Sequence, residues 1–375
     1  MYSLILYDTS NFVDFPIGGQ LTSIRNFLKY LANFQKKYCD KILLVGITNN
    51  KEEVGKFIKV IIDDIEFDFI PVIYREKDLS NVKKSLRVEY VKGLMKYSKL
   101  IKVTNNTINY IHTPEAIISL KFKHPFAKYI IFSHGSFFNM IDGFRFYKKN
   151  KVMMYLFNKY IIYIIRHAKL IFSLDRNSTT KYLKYNKNVI EVNNSIVVED
   201  SIKPKNKNHN PLKLIFVGRL SKVKNIDNII KAVLNMEDVI LTIVGDGEEK
   251  NHLVSLSNNS NKIKFIGAVT PSEVNNYMYE SDILVMNSII EGKPMTIIEA
   301  LSCRLPVITT NVGGICDMVN NHIDSEITDG SVEGIQNAIS LIRKNYKNYS
   351  NNAFNNSKKY DFKTINKEIF DIISK

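Results

Sequence analysis

Short apolar, β-branched runs recur along the chain, separated by longer stretches in which apolar residues return every three or four positions. In the first 200 residues the short runs are SLILY (3–7), KILLVGI (41–47), DFIPVI (68–73), INYIH (108–112), KYIIFS (128–133), KLIFSL (169–174) and VIEV (189–192). Helical patterns fill the gaps, as in LTSIRNFLKYLANFQKKY from Leu21. Strands alternating with helices predict βαβ units and a parallel sheet covered on both faces. The polar, aperiodic segment EDSIKPKNKNHNP (199–211) reads as a linker. Beyond it the alternation restarts with LKLIFVG (212–218), VILTIVG (239–245), KIKFIG (262–267), DILVMN (282–287) and LPVITT (305–310). The Asn- and Lys-rich residues 344–360 interrupt it, and an amphipathic helix, FKTINKEIFDIISK, closes the chain. The expected organisation is an N-terminal domain over 1–198, a C-terminal domain over 212–355, and a terminal segment over 356–375 that packs back on the first domain. Two doubly wound α/β domains take ligands at the carboxyl ends of their strands, and set face to face they form a deep cleft.

A chain of 375 residues exceeds what one compact core usually holds, which agrees with two domains. Cys39, Cys303 and Cys316 are too few and too scattered for a disulfide framework or a zinc site. The start MYSLILYDTS has no basic leader, and no apolar run reaches spanning length, so the expectation is a cytoplasmic protein. Charge changes the picture. Residues 1–200 hold 31 Lys and Arg against 18 Asp and Glu, whereas residues 201–375 hold 21 against 19. A field confined to one half attracts nucleic acid, anionic lipid or phosphorylated substrates.

The candidate chemistry follows strand ends. In FVGRLSKVKN (216–225), Gly218 gives a tight turn after a strand, and Arg219 and Lys224 stand five apart before a helix. Two cations beside a helix N-terminus suit a diphosphate whose charge grows as it leaves. In NSIIEGKPMTIIEALSCRLPVITTNVGG (287–314), Glu291 and Glu299 stand eight apart, one at a loop mouth and one inside a helical pattern. Their carboxylates can accept hydrogen bonds from sugar hydroxyls, and the amides near Met295 and Thr296 would point at a phosphate from the helix N-terminus. Asp246, in VGDGEEK, reads as a structural turn residue, and no convincing paired-aspartate metal motif is present.

These residues carry a resemblance. The pattern E-G-x-P-x-x-x-x-E-A-L, followed by P-V-I-x-T-x-x-G-G and preceded by V-G-R-L-x-x-x-K-N, resembles the group 1 family of retaining glycosyltransferases. It runs from about Leu212 to Val319, with looser likeness in Gly18-Gly19, INYIH and FSHGS. The resemblance implies the GT-B architecture, two Rossmann-like domains with a nucleotide-sugar in the C-terminal one and an acceptor in the N-terminal one. It implies that Arg219 and Lys224 bind the donor diphosphate, that Glu291 contacts the transferred sugar with Gly292 beside it, and that Glu299 holds the nucleotide ribose. Gly18 and Gly19, in the loop FPIGGQ, would let backbone approach the donor phosphates or the acceptor. His134 would bond the transferred sugar or the acceptor, while His112, after the preceding strand, reads as structural. No cofactor and no obligatory donor-site metal are implied; the nucleotide-diphosphate sugar is itself the donor substrate. Two departures stand out: Arg304 occupies a position where the family usually has Gly, and Lys293 one where a small or apolar residue is commoner.

The expected function is transfer of a hexose or hexosamine to a glycan or lipid-linked acceptor in surface-polysaccharide assembly. The basic, aromatic stretch FRFYKKNKVMMYLFNKYIIYIIRHAK (144–169) suits an anionic membrane surface. A dehydrogenase would need G-x-G-x-x-G after the first strand and an α/β hydrolase G-x-S-x-G, and neither occurs. A nucleic-acid binder would need a module that the basic half lacks. A catalytically inactive relative acting as a binding scaffold is the alternative within the family, and the intact Arg219, Lys224, Glu291 and Glu299 argue against it.

Overall fold

The computed structural model describes residues 3–15, 18–62, 64–76, 85–135, 137, 151–203 and 210–374. The chain forms two compact units, one of Met1–Asn193 with Lys363–Lys375 and one of Asn194–Phe362. Residues 16, 17, 136, 144–150 and 204–209 of the segments singled out above lie outside the described residues.

The first unit is built on β1 (Leu4–Tyr7), β2 (Ile42–Thr48), β3 (Ile58–Ile62), β4 (Ile65–Tyr74), β5 (Ile108–Ile111), β6 (Tyr129–Ser133), β7 (Leu170–Ser173) and β8 (Val189–Glu191). Their spatial order is β3-β4-β2-β1-β5-β6-β7-β8. Every pairing is parallel except β3 with β4. That antiparallel edge corrects the expectation of a wholly parallel sheet. Strand β3 escapes a search for apolar runs because its residues face a half-solvated edge, where Lys59 pairs with Asp68 of β4 at 2.8 Å. The central strands read as apolar because they are buried on both faces; all seven residues of β2 are buried.

The second unit is built on β9 (Leu212–Val217), β10 (Val239–Val244), β11 (Ile263–Gly267), β12 (Ile283–Met286), β13 (Val307–Thr310) and β14 (Ser325–Thr328). The order is β11-β10-β9-β12-β13-β14, all parallel. Strand β14, SEIT, is too short and polar to stand out in the sequence; Tyr349 caps it through a short hydrogen bond to Glu326. The unit begins at Asn194, ahead of the segment read as a linker, and Ile196 pairs with Asp361 and joins its core. The Asn-rich tract is not a break either. Tyr346–Ser357 is a helix that buries Tyr346, Tyr349, Ala353 and Phe354 along one face, a stripe that its many Asn residues mask. The last helix, Phe362–Ile373, packs in the first unit, with Phe370 against Tyr38 at 5.3 Å and Tyr30 at 6.4 Å.

In each sheet the chain winds outward in both directions from one internal junction, between β1 and β5 in the first unit and between β9 and β12 in the second. Such a switch point opens a crevice at the carboxyl ends of the strands.

Candidate functional site

At the second unit's switch point the residues after β9 and β12 meet. Gly218 follows β9 with φ +155°. One helical turn, Lys222–Lys224, then presents Lys224, and Asn225 at φ +46° starts the helix Ile226–Leu234. The amide of Asn287, just past β12, donates to the Asn225 carbonyl at 3.2 Å and to that of Gly330 at 3.1 Å. The Ile289 N–H donates to the Val223 carbonyl at 2.8 Å. The two loops are therefore laced together, and their charged groups touch. The Lys224 Nζ makes a short contact with Glu291 Oε1, which also accepts from the Ser288 hydroxyl at 2.7 Å. Their side chains are only 19% and 11% exposed, so this pair is largely withdrawn from water.

The Gly-Gly after β13 explains why the Glu291 loop holds its shape. Gly313 sits at φ +59°, and a Cβ there would lie 2.0 Å from the Glu291 carbonyl oxygen. The Gly314 N–H donates to the Gly292 carbonyl at 2.9 Å, and the Thr310 hydroxyl to that of Ser288 at 2.6 Å. Gly313→Ala is expected to cost at least about 1–2 kcal/mol from the left-handed conformation alone and to displace Glu291. Chemical denaturation, with the midpoint read against wild type, checks this.

Glu291-Gly292 leads into the helix Met295–Ser302, whose N-cap is Pro294 and which has no side-chain cap. The Met295 and Thr296 amides have no acceptor among the described residues, so they remain donors for an anion. Glu299, one turn further, is partly buried, and burial pushes its carboxyl up to about 7. No described group bonds this carboxyl. A carboxyl desolvated without a partner is a perturbed group of the kind that marks binding sites.

Arg219 is placed differently. Its Nε and Nη2 each lie 3.1 Å from Glu248 Oε2, and both side chains are exposed. An exposed pair of this kind is worth little, so an incoming anion can take Arg219 over. Asp246 accepts from the Gly247 N–H at 2.8 Å and pairs with Lys250 at 2.9 Å, which lowers its carboxyl.

Both departures have a local account. Arg304 stands at φ +62° just past the helix, with its N–H on the Leu301 carbonyl and the Leu305 N–H on that of Ala300. This is a Schellman ending, and it explains why glycine suits the position. Arg304 offsets its strain through Nε to the Ile202 carbonyl at 2.7 Å and a guanidinium 4.0 Å over the Phe354 ring. Arg304→Gly should therefore change stability by no more than about 1 kcal/mol, whereas Arg304→Ala keeps the strain, loses the contacts and should cost more; paired thermal melts check the order. The Lys293 carbonyl accepts from Asn194 at 3.2 Å, and its aliphatic stem packs against Gly314.

In the first unit, His112 and His134 follow the adjacent strands β5 and β6. The His112 Nδ1 lies 2.8 Å from the His134 Nε2. His112, read as structural from the sequence, is thus the direct hydrogen-bond partner of the candidate site histidine. The His112 ring stacks on Phe132 at 5.2 Å and meets Tyr110 edge-on at 4.6 Å. Burial holds both imidazoles neutral, with His134 pushed down to about 3 and His112 well below its usual value. The loop carrying His134 is tied by Tyr182, whose hydroxyl accepts from the Phe137 N–H at 3.0 Å and lies 2.9 Å from the Ser133 hydroxyl. Buried Asp8, at the end of β1, accepts from Gln20 and from Thr113 at 3.1 Å. Gly18 has an extended backbone and open space where a Cβ would sit. Gly19 is not a loop residue as expected; it is the first residue of the helix Gly19–Phe34. Sequence reasoning missed Ser288, Asn287, Glu248 and Tyr182, polar residues of ordinary kinds whose partners lie 3 to 62 positions away.

Residues 197–360 match the family model of glycosyl transferases group 1. The chain is 28% identical over 362 residues to the uncharacterized glycosyltransferase MJ1069 of Methanocaldococcus jannaschii, covering 90% of each. It is 32% identical over 126 residues to TuaC of Bacillus subtilis, named for teichuronic acid biosynthesis, a match that spans 33% of this chain and 31% of that one. Among solved structures, HepE of Anabaena in complex with UDP-glucose superposes with a TM-score of 0.68 at 17% identity over 99% of each chain. Two Rossmann-like units in tandem with these neighbours make the fold GT-B.

Proposed function

We propose that the protein is a retaining glycosyltransferase that moves a hexose or hexosamine from a nucleotide-diphosphate sugar to a glycan or lipid-linked acceptor in surface-polysaccharide assembly. The observation that carries this reading is the withdrawn Lys224–Glu291 pair beside the helix N-terminus of Met295 and Thr296, with the unpartnered Glu299 carboxyl one turn on. The named relatives support the reaction class, and HepE, solved with UDP-glucose, supports a nucleotide-sugar donor.

The residues divide the work. Glu299 accepts from the ribose hydroxyls. Lys224, Arg219 and the Met295 and Thr296 amides meet the diphosphate, with the Gly218 turn admitting it close to backbone. Glu291, with Gly292 beside it, orients the sugar. His134 in the first unit bonds the transferred sugar or the acceptor, and the open space at Gly18 admits backbone approach. The anomeric C–O bond breaks and its electron pair leaves with the β-phosphate. The acceptor oxygen forms the new bond on the same face, and its proton passes to the departing phosphate oxygen. Preorganised cations and amides aimed at that phosphate lower the barrier. In this scheme the protein's own cations meet the leaving charge, so a chelator should leave turnover unchanged.

Incubation with a panel of nucleotide-sugars and lipid-linked acceptors tests the reaction. Product with the donor's anomeric configuration, read by NMR, supports it; inverted product, or none in the presence of bound donor, contradicts it.

A membrane-bound acceptor is favoured by one surface. The helix Lys151–His167 has no acidic residue and exposes Val152, Tyr155, Leu156 and Tyr163 with Lys159 and Arg166. Apolar and aromatic residues interleaved with cations suit an anionic interface. Among the described residues, no helix is long and apolar enough to cross a membrane. Co-sedimentation with anionic but not neutral vesicles is the expected result.

A further inference from the structure

We infer that His112 is a positioning residue for glycosyl transfer: its Nδ1 engages the Nε2 of His134 and leaves the Nδ1 of His134 as the one ring nitrogen that meets substrate. The inference rests on the reading of His134 as a group that touches the sugar or acceptor.

The geometry fixes the pair from three sides. The two rings sit at the carboxyl ends of adjacent parallel strands, one residue past β5 and β6, and their nitrogens are 2.8 Å apart. His112 is 5% exposed, stacked on Phe132 and met edge-on by Tyr110, so its ring is packed on two sides. Its own backbone N–H is tied to the Tyr7 carbonyl at 3.0 Å, which anchors it to β1. On the other side, the loop after β6 is held by Tyr182 and Ser133. His134 is partly exposed, and its Nδ1 has no partner among the described residues.

Two neutral imidazoles that share one hydrogen bond have coupled tautomers. A ring nitrogen either carries the proton or offers a lone pair, and which it does is set by what the other nitrogen bonds. The tautomer of His134 is therefore tied to that of His112, and the contact holds the His134 ring against turning. The Nε2 of His112 is buried with no partner, an unsatisfied polar atom of the kind that a core aromatic at this position would not leave. A purely structural residue would not need the imidazole: phenylalanine would stack as well on Phe132 without that penalty.

The test uses the full chain with ¹⁵N-labelled histidine. In wild type the two His134 nitrogens should resolve as one protonated and one bare. His112→Phe, which keeps the stacking and removes the bond, should average them. Averaging already present in wild type, or none in the variant, overturns the inference. In turnover assays, His112→Phe should lower kcat about tenfold, the low end of what losing the partner that orients a metal-bound imidazole costs, with little change in the donor KM. His112→Asn, whose amide reaches the place of Nδ1, should restore most of it. In a His134→Ala background His112→Phe should have no further effect, because the residue it positions is gone; an equal loss in both backgrounds shows a merely structural role and overturns the inference. If no nucleotide-sugar is turned over at all, the glycosyltransferase reading fails, while the nitrogen spectra still decide the pairing without turnover.

Discussion

Replacing Lys224 by Met is expected to lower kcat by about 10²–10³, the loss that follows removal of one preorganised group facing a developing negative charge. The side chain is 19% exposed and its partner Glu291 11% exposed, so the charges act in a site from which water is largely excluded. Removing the cation has a second consequence. Glu291 keeps its hydrogen bond from Ser288 but loses its counter-charge, and a carboxylate left partly buried and unpaired is costly. Lys224→Met should therefore destabilise the unit as well as slow it. Lys224→Met with Glu291→Gln should recover stability, since neither charge is then stranded, but no activity, since the leaving phosphate still lacks its cation. Steady-state kinetics and denaturant melts on the four proteins of this double-mutant cycle separate the two effects.

Replacing Glu299 by Ala is expected to weaken donor binding by about 10²-fold, because hydrogen bonds to a charged acceptor are worth roughly 1.5–3 kcal/mol each. The same residue imposes a pH dependence whose sign follows from its environment. Burial has raised this carboxyl to about 7, so the group is protonated below that value and ionised above it. On the proposed reading ribose hydroxyls donate to the ionised form, and binding would therefore select it. The donor Kd should rise about tenfold as pH falls from about 8 to 6, and Glu299→Gln should abolish that slope. The raised carboxyl also costs folding stability, increasingly as pH climbs from the ordinary carboxylate range toward 7, and bound donor offsets this. Isothermal titration of a nucleotide-sugar across that range, on wild type and Glu299→Gln, measures both.

Much of the fold was legible because parallel strands buried on both faces leave unbroken apolar runs. Among the described residues, twelve of the fourteen strands coincide with such runs, and β3 and β14 do not, because one is a half-solvated edge and the other is SEIT, held by its neighbours rather than by its own apolarity. The helix Tyr346–Ser357 was hidden for a related reason: four buried apolar side chains suffice for it, and Asn fills the rest. The candidate site's grouping was legible where a motif is local. Glu291 and Glu299 lie in one loop and the helix it opens, and Arg219 and Lys224 in one turn. Contacts made by fold closure were not legible. Nothing in the sequence brings Lys224 to Glu291, 67 positions on, or His112 to His134, 22 positions on. Arg304 shows both sides: its departure from glycine is visible in sequence, while the Phe354 ring and Ile202 carbonyl that make it tolerable are visible only in three dimensions.

The central claim is that the second unit's switch point takes a nucleotide-diphosphate sugar, and the most direct measurement is the thermal midpoint of the full chain against a panel of nucleotides and nucleotide-sugars. A ligand that binds only the native state raises the midpoint. The account predicts a clear rise with one donor, lost in Glu299→Ala and Arg219→Ala. No rise with any donor, or a rise that both variants retain, would contradict it.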